Sequence, residues 1–383
     1  MAFASGFDFS EARDALALSQ AIYGEPAIPV PTPDPAAFGW SRVDELSPSS
    51  PTLLDNLWQV WRSSAHPNRY AVVVRGTVDT KASILADLLF PLVDARLDLK
   101  LDIGGSQLDI PFHLARDETG SAVVAGTHLG FTLSLLLMLL TTDRPLLASL
   151  ARLSLLPGTE LLVTGHSQGA SIATLLTSFL RHAGGPFAGF ATLSTKTYVL
   201  APAKPGNDHY AADYAGIAGF GWTIASTQGW VPQVPFTLQG PGDLNTPNPL
   251  RAYAGEPMPD SDPRVAAMAL TAAMASDAAL EPALAHAHET VAVLKAGLGT
   301  IRLAPEPFMT GGTVLPPASG TVLAPTLDTV LSRVQRSLDY APAGSLVPLF
   351  ARPGGNPADP KDFFWQHHLG NYWIYLQEQY GGV

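Results

Sequence analysis

The stretch Leu161-Leu162-Val163-Thr164-Gly165-His166-Ser167-Gln168-Gly169-Ala170-Ser171 constrains the fold more than any other. An apolar run meets a serine flanked by two glycines, then an Ala/Leu-rich helical pattern. A strand that reverses into a helix over so few residues forces the serine into a strained backbone conformation, so the positions two before and two after it must be small. Gly165 and Gly169 meet that requirement. Held there, the Ser167 hydroxyl stands clear of the sheet edge. The helix that follows directs free N–H groups and the positive end of its dipole at any oxyanion formed beside it. Gly-x-Ser-x-Gly alone recurs by accident in a chain with 34 glycines. Here it lies between a strand-like Leu-Leu-Val and an amphipathic Ala170–Leu180 pattern, the context a nucleophile elbow requires. Serine hydrolase chemistry is the expectation.

Composition sets outer limits. With 383 residues, 46% of them hydrophobic, the chain can bury a sizeable core in one large α/β domain or two smaller ones. Its 22 Lys and Arg are outnumbered by 33 Asp and Glu and are nowhere clustered, and the net charge of −11 argues against nucleic acid or an anionic membrane as a partner. A neutral or apolar substrate fits better. Without cysteine there is neither a disulfide nor a Cys-ligated metal. The first residues lack both a basic start and an apolar stretch of signal length, so the expectation is a cytoplasmic protein or the processed form of a secreted one. Leu129–Leu140 is too short for a transmembrane segment, which needs about 20 residues, and reads as a buried helix.

In chain order, Ser10 ahead of Glu11 reads as an N-cap, with Ala15, Leu16, Leu18, Ala21 and Ile22 on one helical stripe. Prolines then punctuate residues 25–52, which read as an extended surface loop. Tyr70-Ala71-Val72-Val73-Val74 is apolar on both faces, as a buried parallel strand should be, and ends in Arg75-Gly76-Thr77, where such folds place ligand-binding loops. Asp79–Phe90 is a short amphipathic piece, and residues 101–119, broken by Gly104-Gly105, suggest a hairpin. Lys196–Leu200 and Gly221–Ala225 are further strand-like runs; strands alternating with helices predict a mostly parallel sheet. Residues 241–261 are proline-rich and mark an insertion. Arg264–Leu298 reads as two helices with Pro282 opening the second, and another helix follows at Thr326–Leu338. Strand character returns at Ser345–Phe350, before a last helix around Phe363–Gln379.

Several separated segments, in this order, resemble the class 3 lipases of the α/β-hydrolase fold. They are Val74-Arg75-Gly76-Thr77, Ala86-Asp87, Thr127-His128-Leu129-Gly130-Phe131, Val163-Thr164-Gly165-His166-Ser167, Pro205-Gly206-Asn207, Trp230-Val231-Pro232-Gln233-Val234-Pro235 and Tyr340–Leu349. The resemblance runs over nearly the whole chain. It implies a mostly parallel sheet flanked by helices with a helical cap-like insertion: core at residues 1–240 and 339–383, the latter with the final strand and a His-bearing helix, and insertion at 241–338. It also implies that Thr77 supplies one oxyanion-hole donor and the Gln168 backbone N–H another, with Val78–Ala86 as a lid and Asp87 anchoring the oxyanion loop. Two donors from different elements suit a tetrahedral oxyanion, and losing one costs about 3 kcal/mol of barrier. Read alone, Arg75-Gly76-Thr77 is also compatible with an ordinary strand-end turn.

Ten histidines compete for the role of general base. His166 and His128 lie inside motifs where structural support is the expected role. His286 and His288 are two apart on a predicted helix and face different ways, so they make a poor metal pair. His66, His113, His182 and His209 read as solvated surface positions. Trp365-Gln366-His367-His368-Leu369-Gly370-Asn371-Tyr372 remains, and His367, five before Tyr372, is similar to the family's His-x-x-x-x-Tyr ending. Adjacent residues at a helix start point apart, so only one can reach Ser167, and His367 is favoured over His368.

The family's Asp-x-Val-Pro segment should carry the acid that orients the histidine, yet Gly229 occupies that position. Loss of such an acid frees the wrong tautomer and costs about four decades of rate where isolated. Asp243, the nearest downstream carboxylate, is the favoured replacement; Gln228, Asp208 and Asp213 are alternatives, and a disabled form is a fourth possibility. The expected activity is hydrolysis of acyl-lipid esters through an acyl-enzyme on Ser167, with no metal or organic cofactor and a transient lipid interface as partner. Its rivals are an esterase for small or polymeric esters, and an impaired lipase-fold binding protein.

Overall fold

Residues 70–74 alternate between two apolar environments, and that alternation sets the layers. Tyr70, Val72 and Val74 face one core cluster, while Ala71 and Val73 face another, as the two-residue period of a strand buried on both sides demands. The computed structural model describes residues 3–24, 33–103, 106–117, 124–235, 277–298, 309–310, 313–314, 324–337 and 339–382.

The strands are β1 (Trp40–Arg42), β2 (Trp58–Ser63), β3 (Arg69–Val74), β4 (Leu92–Asp94), β5 (Arg96–Ile103), β6 (Ser106–His113), β7 (Gly126–His128), β8 (Glu160–His166), β9 (Ser194–Leu200), β10 (Gly221–Ser226), β11 (Met309–Thr310), β12 (Thr313–Val314) and β13 (Ser345–Leu349). Seven form the main sheet in the order β1-β2-β3-β8-β9-β10-β13. Pairing is antiparallel from β1 to β3 and parallel from β3 to β13. Helix α1 (Phe9–Ala21) and the last helix (Leu369–Tyr380) cover one face through Leu16, Leu18, Leu369 and Tyr372. On the other lie α3 (Leu129–Leu140), every residue of which is buried, α4 (Leu146–Ser154) and α5 (Gln168–Arg181), with α2 (Lys81–Leu88) packed beside α3. A mostly parallel sheet with helices on both faces and a strand-to-helix elbow at the end of its central strand is the α/β-hydrolase arrangement. No helix among the described residues is long and apolar enough to cross a membrane.

The structure revises several sequence readings. Asp8, not Ser10, caps α1, its carboxylate accepting from the Glu11 N–H at 3.0 Å; either residue type can cap, and only the chain's path into the helix selects one. Residues 25–52 are not wholly irregular, because β1 lies there and forms the sheet edge with β2. The hairpin spans β5 and β6 and so starts at Arg96, with its tip outside the described residues. Pro282 lies inside one helix, Asp277–Leu298, instead of opening a second; it is exposed, where water can serve the carbonyl that proline leaves unbonded. That helix and Ala324–Ser332 bury Ala287, Val291, Leu327 and Val330 in the same core cluster as α3 and α5. The last helix begins at Leu369, preceded by the 3-10 turn Trp365–His367.

Candidate active site

β8 ends at His166 and α5 starts at Gln168, so Ser167 alone makes the turn, at φ 59° and ψ −129°. A left-handed φ on a non-glycine residue is strained and persists only where packing imposes it. The glycines show how. A Cβ at Gly165 would stand 2.5 Å from the Gly169 carbonyl oxygen and 2.7 Å from that of Val74, while one at Gly169 would stand 2.6 Å from the Arg75 carbonyl carbon. Helix and strand therefore touch backbone to backbone. The Ser167 N–H donates to the Leu200 carbonyl at 2.9 Å, which pins the turn to β9. Ser167 stays half-exposed, and among the described residues its hydroxyl makes no hydrogen bond, to an imidazole or otherwise.

Arg75-Gly76-Thr77 follows β3 and lies against the elbow, where a Cβ at Gly76 would sit 3.1 Å from that of Ser167. Asp87, on α2, joins the two residues expected to form the oxyanion hole. Thr77 Oγ1–H donates to its Oδ2 and Gln168 Nε2–H to its Oδ1, each at 2.8 Å. Gln168 also donates to the Ser83 carbonyl at 3.0 Å and accepts from Asn56 Nδ2 at 3.0 Å, so its side chain is fully engaged. Burial pushes the Asp87 carboxyl up to about 6, against the opposing effect of the two hydrogen bonds. The segment expected as a lid holds α2, which presents Ile84 (42% exposed) and Leu88 (41%) to solvent.

His367 closes the other side. Its ring centroid is 4.4 Å from that of His166, and its carbonyl accepts from His166 Nε2–H at 2.9 Å. Burial holds its imidazole well below the usual histidine range, helped by the neighbouring His166 and His368. Its Nδ1, where a triad acid would bind, is buried with no hydrogen-bond partner among the described residues. Gly229 lies nearby: a Cβ there would be 3.5 Å from the Gln366 carbonyl oxygen and 3.5 Å from Ser226 Cβ, in ordinary van der Waals contact. The Ser226 N–H donates to Tyr372 Oη at 2.9 Å, joining β10 to the last helix. Trp230, Phe363 and Phe364 form an aromatic cluster that reaches His367, with Phe364 5.9 Å from its ring.

Asp243, the favoured acid, lies outside the described residues. Asp208 is exposed and accepts from the His209 N–H. Asp213 is engaged elsewhere, with His182 at 2.7 Å and Arg116 at 3.3 Å. His182 and His113 are therefore not merely solvated: Asp213 binds the first and Asp98 the second, at 2.9 Å. Sequence reasoning missed Asp362, whose carboxylate accepts from His368 Nε2–H at 3.0 Å. Its only signal was a carboxylate six residues before a histidine. The carboxylate thus partners the histidine that was not favoured. His128 caps α3, its Nδ1 accepting from the Phe131 N–H, and burial lowers its pKa to about 3.

Residues 71–239 match the family model for lipase (class 3). Over this span the chain is similar to the class 3 lipases. The match covers less of the chain than the nearly full-length resemblance suggested, and it supports an ester-hydrolysing enzyme. Comparison with curated protein sequences finds no match. Among solved structures, the lipase of Rhizopus microsporus var. chinensis aligns at 18% identity and a TM-score of 0.40, over 60% of this chain and 71% of that one. Lipase II of Rhizopus niveus aligns at 18% identity and a TM-score of 0.40, over 60% and 75%.

Proposed function

We propose that this protein is a lipase that cleaves acyl-lipid esters through a covalent acyl-enzyme on Ser167. The Ser167 oxygen attacks the ester carbonyl carbon while its proton passes to His367 Nε2. The tetrahedral oxyanion takes hydrogen bonds from the backbone N–H groups of Thr77 and Gln168, because the Thr77 hydroxyl is already given to Asp87. Collapse breaks the ester bond, and the leaving alkoxide recovers the proton from His367. Water, deprotonated by the same imidazole, then releases the acid and frees Ser167. Ile84 and Leu88 would meet a lipid surface or an acyl chain.

The observation that carries this reading is the strained conformation of Ser167, held by glycines that admit no side chain. A fluorophosphonate probe should label the wild-type protein and leave Ser167→Ala unlabelled; labelling retained in the variant would place the nucleophile elsewhere. One observation favours a second reading, a lipase-fold protein that binds acyl ligands with little turnover: the unpartnered Nδ1 of His367. Wild-type protein that binds a fatty acid but resists the probe would establish that reading instead.

A further inference from the structure

Tyr23 follows α1, more than a hundred residues before the elbow, yet its hydroxyl lies within the site. Tyr23 Oη is 2.9 Å from His166 Nδ1, and Gly76 packs so closely that a Cβ there would overlap the same hydroxyl. From His166 the contact continues to the carbonyl of His367. Donor and acceptor rules fix the direction of the chain. A carbonyl only accepts, so His166 Nε2 carries the proton; a neutral imidazole then presents Nδ1 as an acceptor, and the Tyr23 hydroxyl donates to it. His166, the residue before the nucleophile, thus links the segment after α1 to the turn bearing the proposed base.

We propose that Tyr23 is a positioning residue of the hydrolytic reaction: acting through His166, it fixes His367 by its main chain, supplying from the carbonyl side the orientation that a carboxylate at position 229 would supply from the ring. The proposal rests on the reading that Ser167 and His367 carry the chemistry. Holding the carbonyl fixes the peptide plane of His367 and so the direction of its side chain, while the His166 and Phe364 rings limit its rotation. Such a device orients the imidazole without compensating the charge it gains. A carboxylate restored at position 229 should therefore make Tyr23 partly redundant.

A double-mutant cycle tests this, with Tyr23→Phe, Gly229→Asp and the double variant assayed on a soluble p-nitrophenyl ester. Tyr23→Phe is expected to lower kcat by about tenfold to a hundredfold with KM nearly unchanged, since a buried acceptor loses its donor and the base drifts from its place. In the Gly229→Asp background the same change should cost less than about threefold. An equal fractional loss in both backgrounds, or a loss confined to KM, would overturn the proposal. If Tyr23→Phe does not fold, His166 decides: His166→Gln, with one amide donor and one acceptor, should keep most of kcat, while His166→Phe should lose it. Equal activity of those two variants would overturn it as well. Probe labelling keeps the underlying reading separate. A wild type that neither labels nor turns over fails as a serine hydrolase, whereas a wild type and a Tyr23→Phe variant that label at one rate refute the role of Tyr23 alone.

Discussion

Replacing Asp87 by asparagine tests whether one enclosed carboxylate supports the oxyanion loop at a cost in stability. Enclosure raises its pKa from 3.8 to about 6. Because the folded value lies above the unfolded one, the native state holds the proton more tightly. The stability this lends is complete below the unfolded pKa and is lost as pH rises through about 6. Roughly two pH units at about 1.4 kcal/mol each set the loss at neutral pH near ~3 kcal/mol, and less where residual solvent contact screens the charge. Asparagine removes that cost; its amide oxygen accepts from Gln168 Nε2–H, and its NH2 keeps the Thr77 contact if that hydroxyl turns to accept. Near pH 4, where Asp87 is protonated and has the same shape as the amide, Asp87→Asn should match the wild type within about 1 kcal/mol, and at pH 7 it should be the more stable protein. Urea denaturation between about pH 4 and 7 measures the difference, which should move by roughly 2–3 kcal/mol toward the variant as pH rises. His166 and His128, lowered to about 4 and about 3, act in the opposite sense, their stability being lost as pH falls below the ordinary histidine value. Both proteins share that contribution, so it cancels. A stability difference that stays flat with pH would refute the reasoning.

Two further outcomes follow from the elbow and from α2. Gly169→Ala should cost roughly 2 kcal/mol or more in calorimetry, since its Cβ would be driven into the Arg75 backbone; an unchanged melting temperature would mean that the elbow can open. Ile84→Ser combined with Leu88→Ser should reduce hydrolysis of emulsified triacylglycerol several-fold while sparing a soluble ester, and equal losses on both would remove α2 from the lipid-facing surface.

The elbow was legible because its cause is local. Two glycines, the serine between them, and a switch from strand to helix periodicity all fall within eleven residues, Leu161 to Ser171. Burial of Leu129–Leu140 was legible too, since so apolar a segment has nowhere else to go. Strand β1 escaped notice because three residues among prolines carry almost no periodicity; only pairing with β2 makes them a strand. The cap of α1 was misplaced by two residues, because Asp8 and Ser10 are equally able acceptors.

The region of the site follows the same division. Short-range patterning by itself pointed to a serine in a strained turn at the end of a central strand, whereas the histidines after Trp365 entered only through the resemblance of that segment to the family's His-x-x-x-x-Tyr ending. Which imidazole has a carboxylate, and what holds the other, was decided only in three dimensions. His368 and Asp362, like Tyr23, His166 and His367, meet through hydrogen bonds between segments whose spacing in the chain encodes no contact. Backbone strain is specified by neighbours a few residues away, whereas a hydrogen bond across the fold exists only once the sheet and its helices have set the distance.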